Sequence, residues 1–303
     1  MQTLVIGSAG FIGKSLVQRL SEHGVPTRWM VASRAKAPAL PGVDVVEGDL
    51  YREEDLARAM RGITHVVPLV SILRERPGQR FEHVHVESTR KILAEAQRRN
   101  VSKIVLTSAL GASYRASSRY LSTKAEAEQL VKASGIPFVI LRPAVIFGRG
   151  DEFTRMLTDL IISTPVTPVV GAGRNLYQPL YVEDFTDCLF QAVVKDDVVN
   201  QTICLAGSDR LTFDEMLQAL TQALGTDRFR IHVPAQAVEW LLPWVSRALP
   251  DLPVTPDQLF LLTHDQTCDN TEMRRCFGVE PRGFREQIGT LIRPLRETSL
   301  PRR

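Results

Sequence analysis

Cysteine is scarce in this chain, and its other shortages narrow the function early. Only four of 303 residues are cysteines. Cys188, Cys204, Cys268 and Cys276 form no CxxC pair and have no histidine in ligand register. Free or buried thiols in a reducing compartment are expected, with no disulfides and no metal site. Charge of one sign is also lacking. The formal net charge is +3, and no basic block occurs beyond pairs such as Arg98-Arg99, which argues against nucleic-acid binding. No apolar run reaches the length of a membrane span. The tract 235–249 (AQAVEWLLPWVSRAL) carries Trp240 and Trp244 but is broken by Pro243. It reads as a core or substrate-pocket helix, with contact to a membrane surface or a partner as the alternative. No leader stands ahead of the first strand-like segment at residue 3, so an intracellular, cytoplasmic protein is expected.

What is present alternates. Strand-like segments fall at 3–6, 27–32, 43–47, 64–70, 102–107 and 138–142, and helix-like segments at 14–23, 53–61, 81–99 and 122–133. Such alternation specifies an α/β protein with a parallel sheet covered on both faces, whose ligands bind at the carboxyl ends of the strands. Beyond Gly150 the pattern loosens. Residues 161–173 read as a loop over a cleft, 181–193 as a helix, and the remainder as irregular and proline-interrupted. The expected division is a nucleotide domain of 1–150 plus about 177–200, with a smaller α/β substrate or partner domain of 151–176 and 201–303.

The most informative stretch is the run IGSAGFIG at 6–13, where a strand passes through Gly7, Gly10 and Gly13 into a helix. Glycine permits the tight turn and close backbone approach, and the N–H groups that open a helix attract an anion. The spacing is GxxGxxG, and a turn needing glycine only for packing is the plainer alternative. A nucleotide specificity signal follows. The second strand ends Ala32-Ser33-Arg34-Ala35-Lys36, with no carboxylate before Asp44. Arg34 can grip a phosphate with its fork and Lys36 adds a mobile charge, which favours NADP(H) with NAD(H) as the alternative. Asp49, in Gly48-Asp49-Leu50, reads either as a contact to the adenine amino group or as a turn-former.

Ser108 follows the strand ending at Thr107, and Tyr120 and Lys124 stand four residues apart where a helix opens. On a helix that spacing puts phenol and ammonium on one face, where the cation would lower the phenol pKa. The serine hydroxyl would orient a carbonyl or alcohol oxygen, and the phenol would exchange its proton.

With these residues the chain resembles the short-chain dehydrogenase/reductase superfamily in its extended branch. The resemblance runs nearly end to end: IGSAGFIG (6–13), GDL (48–50), LTSALGA (106–112), YLSTK (120–124), LRPAVIFG (141–148), QPLYVEDF (178–185) and CFGVEP (276–281). It implies a Rossmann-like doubly wound sheet with a small C-terminal domain. It implies Tyr120 as general acid/base, Lys124 on the nicotinamide ribose and Ser108 on the substrate oxygen. The cofactor-binding set it implies is Gly7, Ala9, Gly10, Phe11, Ile12, Gly13, Ser33, Arg34, Lys36, Asp49, Leu50, Leu69, Val70, Thr107, Tyr120, Lys124, Pro143 and Val145. ERPGQRFEHVHVEST (75–89), SALGAS (108–113) and YQPLYVED (177–184) also resemble an atypical subgroup that includes the nucleotide-binding accessory subunit of mitochondrial respiratory complex I.

Two departures narrow the chemistry. Dehydratases of the branch carry an Asp-Glu pair just after the serine or threonine, where this chain has Ala109 and Leu110, so an acid and base for elimination are lacking. Pro68-Leu69-Val70-Ser71 stands where sugar-nucleotide enzymes are asparagine-rich. Trp240, Leu241, Leu242, Trp244 and Leu259 suit an apolar substrate or partner. Two readings stay open: an NADPH-dependent reductase of a small carbonyl compound, and a non-catalytic nucleotide-binding scaffold or redox-responsive protein with a protein partner.

Overall fold

The computed structural model describes residues 1–7, 10–234, 236–238, 240 and 255–299, with the backbone alone at Lys36 and 293–299. Ala9 and most of the tract 235–249, including Leu241, Leu242, Pro243 and Trp244, lie outside the described residues. The strands are β1 (Thr3–Ile6), β2 (Thr27–Val31), β3 (Val43–Glu47), β4 (His65–Pro68), β5 (Lys103–Thr107), β6 (Phe138–Pro143), β7 (Ile146–Phe147), β8 (Val166–Val170), β9 (Leu176–Tyr177), β10 (Leu180–Tyr181), β11 (Gln201–Leu205), β12 (Leu211–Thr212) and β13 (Phe229–Val233). The helices are α1 (Phe11–Glu22), α2 (Glu53–Ala59), α3 (Ser88–Arg98), α4 (Arg119–Ala133), α5 (Glu152–Ser163), α6 (Val182–Val194), α7 (Phe213–Leu224), α8 (Pro256–Thr263), α9 (Thr271–Phe277) and α10 (Phe284–Ser299).

Two compact units divide the chain. The first comprises Met1–Pro143, Val182–Leu205 and Asp269–Val279. Its seven strands pair in parallel in the order β11-β6-β5-β4-β1-β2-β3. This is the Rossmann-like doubly wound sheet. Thr3, Leu4, Val5 and Ile6 are each at most 1% exposed, as a strand covered on both faces requires. Leu4 and Ile6 join Leu56, Met60, Ile92, Leu93 and Val131 in the core under α2, α3 and α4. Arg19 of α1 pairs with Asp187 of α6 at 2.9 Å.

The second unit comprises Ala144–Tyr181, Ala206–Cys268 and Glu280–Arg303. It holds three two-stranded pairings: β7 with β10, β9 with β12, and β8 with β13. The segment 161–173, expected as a loop, instead completes α5 and forms β8. Asp151 caps α5 by accepting the Thr154 N–H at 2.6 Å, and Leu157 and Ile161 are buried along it. Pro168 sits in β8 opposite Ile231 of β13, in a two-stranded sheet where its missing N–H faces away from a ladder. The later chain is likewise less irregular than expected. Thr212 with Glu215 and Thr255 with Gln258 build capping boxes, and Pro256 opens α8. Trp240 is 71% exposed, whereas Leu259 is buried. All four cysteines are free thiols.

Candidate active site

The strand order reverses between β1 and β4, so their carboxyl ends flank the crevice where sheets of this topology bind ligands. Gly7 leaves β1 with φ 95°, and a Cβ there would stand 2.5 Å from Val70 Cγ2 and 3.1 Å from its nitrogen. Leu69 leaves β4 with its N–H on the Ile6 carbonyl at 2.9 Å. Gly10 enters α1 in extended conformation as its N-cap residue, ahead of the first turn of Phe11, Ile12 and Gly13. The N–H groups of a helix's first turn suit an anionic group. Gly7→Ala is expected to cost roughly 1–3 kcal/mol through φ alone and to displace residues 69–72. A lower thermal midpoint together with weaker NADPH binding would register both effects; two unchanged values would contradict this geometry.

Ser33 precedes a tight 3₁₀ turn at Arg34–Lys36. The Arg34 side chain is exposed, and its N–H donates to Glu47 Oε2 at 2.8 Å. The β2–β3 register sets Val31 opposite Glu47, which brings a carboxylate beside the expected cationic turn. Asp49 accepts the Tyr51 N–H at 2.9 Å and gives its own N–H to Asp55 at 3.0 Å, a turn that buries Leu50.

Ser118 caps α4 by accepting the Leu121 N–H at 3.4 Å, so the helix opens three residues earlier than the pattern predicts. Tyr120 and Lys124 consequently lie inside α4, 8% and 5% exposed. The Lys124 ammonium is 5.9 Å from the centre of the Tyr120 ring and donates to the Thr107 carbonyl at 3.2 Å. A small cavity beside it is lined by Pro68, Val70, His85, Thr107 and Lys124 among others. The Thr107 hydroxyl oxygen is buried there without a hydrogen-bond partner among the described residues.

The electrostatics differ from the expected lowering of the phenol pKa. Burial pushes Tyr120 up to about 12 and pulls Lys124 down to about 8, the nearby Glu128 opposing the latter. The ammonium turns to Thr107 rather than to the phenol, so desolvation dominates. A phenol so buried keeps its proton at neutral pH.

Ser108 is drawn elsewhere. Its hydroxyl donates to Glu128 Oε1 at 2.6 Å. Glu128 is almost wholly buried and accepts both Nε and Nη2 of Arg142, each at 2.7 Å, with Lys132 at 3.6 Å. The structure thus brings Tyr120 and Lys124 together, while Ser108 serves a forked ion pair. Glu128 continues the four-residue row of Tyr120 and Lys124, a signal present in the sequence and overlooked. Arg142 needed the strand register, which sets Thr107 opposite Leu141. The Pro143 carbonyl ends β6 and accepts the Leu110 N–H at 2.9 Å. Val145 belongs to the second unit, where its carbonyl accepts the Leu180 N–H at 2.9 Å.

The close glycine turn, the helix start at Gly10 and the buried Thr107 hydroxyl fit a dinucleotide along the ends of β1, β4 and β5. Among the described residues, no group of three or more His, Cys, Asp or Glu side chains is placed to hold a metal ion. No described helix is long and apolar enough to cross a membrane. Fold and site together define a nucleotide-binding protein of the Rossmann-like class. Residues 7–158, just over half of the chain, match the family model described as NAD(P)H-binding. The chain belongs to that family. Ceramide reductase of Caulobacter vibrioides is 30% identical over 182 residues, which are 59% of this chain and 57% of that protein. The chain therefore spans less than two thirds of that relative. The 40 kDa subunit of mitochondrial NADH-ubiquinone oxidoreductase from Neurospora crassa is 25% identical over 286 residues, 91% of this chain and 75% of that one. In fold, UDP-glucose 4-epimerase of Thermus thermophilus, solved with NAD, aligns at TM-score 0.77 and 20% identity over 99% of this chain and all of the other.

Proposed function

We propose that this protein is an NADP(H)-dependent oxidoreductase that reduces the carbonyl of a small, apolar substrate. The observation that carries the proposal is the buried Tyr120–Lys124 pair on one face of α4, beside a cavity at the strand ends. A bound nicotinamide would supply hydride, and Tyr120 would give the carbonyl oxygen its proton. Lys124, held by the Thr107 carbonyl, is set to fix the ribose and keep positive charge near the phenol. The apolar substrate class is supported by Ala109 and Leu110 in place of an acidic pair, and by the ceramide named for one relative. NADPH oxidation against a panel of aldehydes, ketones and quinones tests the reading, which requires at least one member to be reduced.

A second reading, a nucleotide-holding protein with a protein partner, draws on the Ser108 hydroxyl. That hydroxyl is committed to Glu128, whereas a reductase would turn it to the substrate oxygen. The complex I relative supports the same reading. Strong thermal stabilisation by NADPH without turnover of any panel member would favour it.

The cofactor preference rests on Arg34 and Lys36. Arg34→Ala is expected to weaken NADPH about tenfold in a calorimetric titration, the loss of one charge-assisted phosphate contact, with NADH nearly unchanged. Glu47 beside the Arg34 N–H makes the comparison informative, since its carboxylate would repel that phosphate. Equal affinities of the unaltered protein for both nucleotides would sink the NADP preference.

A further inference from the structure

The helix that leads into α3 is not regular. Residues Glu82–Glu87 form a π-helical segment, and Val84, His85 and Val86 are buried in succession. The wider turn holds His85 on the buried side, between Val84 and Val86. His85 is 3% exposed and its ring clusters with those of Phe81, at 5.5 Å between ring centres, and Tyr120, at 5.6 Å.

Both ring nitrogens are engaged, on two different elements. Nε2 faces the Ile72 N–H at 3.3 Å and the Ser71 hydroxyl at 3.2 Å. An N–H can only donate, so Nε2 is the acceptor. Nδ1 lies 3.0 Å from Thr123 Oγ1. A neutral ring with Nε2 accepting carries its proton on Nδ1 and donates it to Thr123. The Thr123 hydroxyl in turn reaches the carbonyls of Arg119 and Tyr120, at 2.9 and 3.0 Å. Burial, with the Lys124 cation second, pulls His85 down to about 2, so the ring stays neutral and takes no second proton at working pH.

The two ends differ in what they hold. Ser71 and Ile72 directly follow Val70, the residue against which Gly7 closes. Thr123 lies between Tyr120 and Lys124 on α4. We infer that His85 is a positioning residue, a neutral bridge that sets the nucleotide-bordering segment 69–72 against the helix bearing Tyr120 and Lys124. The chain of contacts from Gly7 through Val70, Ile72, His85 and Thr123 to Tyr120 ties the glycine turn to the proton donor. Placement of the nucleotide and of the phenol is thereby coupled. The inference rests on the nucleotide-binding reading and is independent of turnover.

The test is an NADPH titration by fluorescence on the full chain, with thermal midpoints taken in the absence of nucleotide. His85→Phe keeps the ring packing and cuts both ends. His85→Asn can reach only Thr123, and His85→Gln can reach only Ile72 and Ser71. A bridge fails whichever end is cut, so all three are expected to bind NADPH about tenfold more weakly, the loss of one buried hydrogen-bonded link. Thr123→Val is expected to weaken binding similarly, and the double variant with His85→Phe to be no weaker than either single, because the two residues act as one link. The inference is overturned if His85→Phe binds as tightly as the unaltered protein, if one single-ended variant retains full affinity, or if the losses multiply in the double variant. It is also overturned if the midpoint falls while affinity holds, which is what a purely structural histidine would give. Should His85→Phe not fold, Thr123→Val and the single-ended variants decide by the same criteria. An unaltered protein that binds neither NADPH nor NADH would instead remove the nucleotide reading itself, and the bridge with it.

Discussion

Tyr120→Phe is expected to slow NADPH-dependent carbonyl reduction by about 10²–10⁴-fold, the usual contribution of a positioned general acid, with NADPH affinity essentially unchanged. The variant deletes the hydroxyl and keeps the ring. The phenyl ring would keep its edge contacts with Phe81 and His85, at 5.8 and 5.6 Å between ring centres. Lys124 would keep its bond to the Thr107 carbonyl. What disappears is a proton held on the phenol by burial, with a pKa pushed up to about 12. The comparison uses whichever aldehyde, ketone or quinone the unaltered protein reduces. An equal rate in Tyr120→Phe would show that the acid is another group.

Glu128→Leu carries the largest expected loss of stability. It strips Arg142 of a forked partner and leaves the Ser108 hydroxyl without its acceptor. Breaking a fully buried pair from one side costs roughly 3–5 kcal/mol, and the partial exposure of Arg142 lowers the expected figure to about 2–3 kcal/mol. At about 2–4 °C per kcal/mol for a chain of this size, the thermal midpoint should fall by about 5–10 °C. Adding Arg142→Met should recover part of the loss, since the uncompensated cation goes with it. An unchanged midpoint in Glu128→Leu would mean that the ion pair contributes no net stability.

Much of the first unit was legible because its signals are local. Apolar strands, the glycine turn and the Tyr120–Lys124 spacing each depend on neighbours within a few residues. Other features required long-range register. β8 pairs with β13 across some sixty residues of sequence, and Pro168 within it reads locally as loop. Ser108 stands at the end of a strand as predicted, yet the direction of its hydroxyl depends on Glu128 from α4 and Arg142 from β6. The bridge through His85 was hidden for another reason. The π-helical turn lies inside the segment 81–99, read as one helix, and the partners of His85 come from residues 71–72 and from α4.

The central claim, that this protein passes hydride to a carbonyl, is tested most directly by NADPH carrying deuterium at the transferring position of nicotinamide C4. The labelled nucleotide is mixed with the protein and the carbonyl panel, and product alcohols are examined by mass spectrometry. Deuterium is expected on the carbinol carbon of at least one product with the unaltered protein, and is expected to be lost with Tyr120→Phe while NADPH still binds. Tight NADPH binding by the unaltered protein with no deuterium in any product would contradict it.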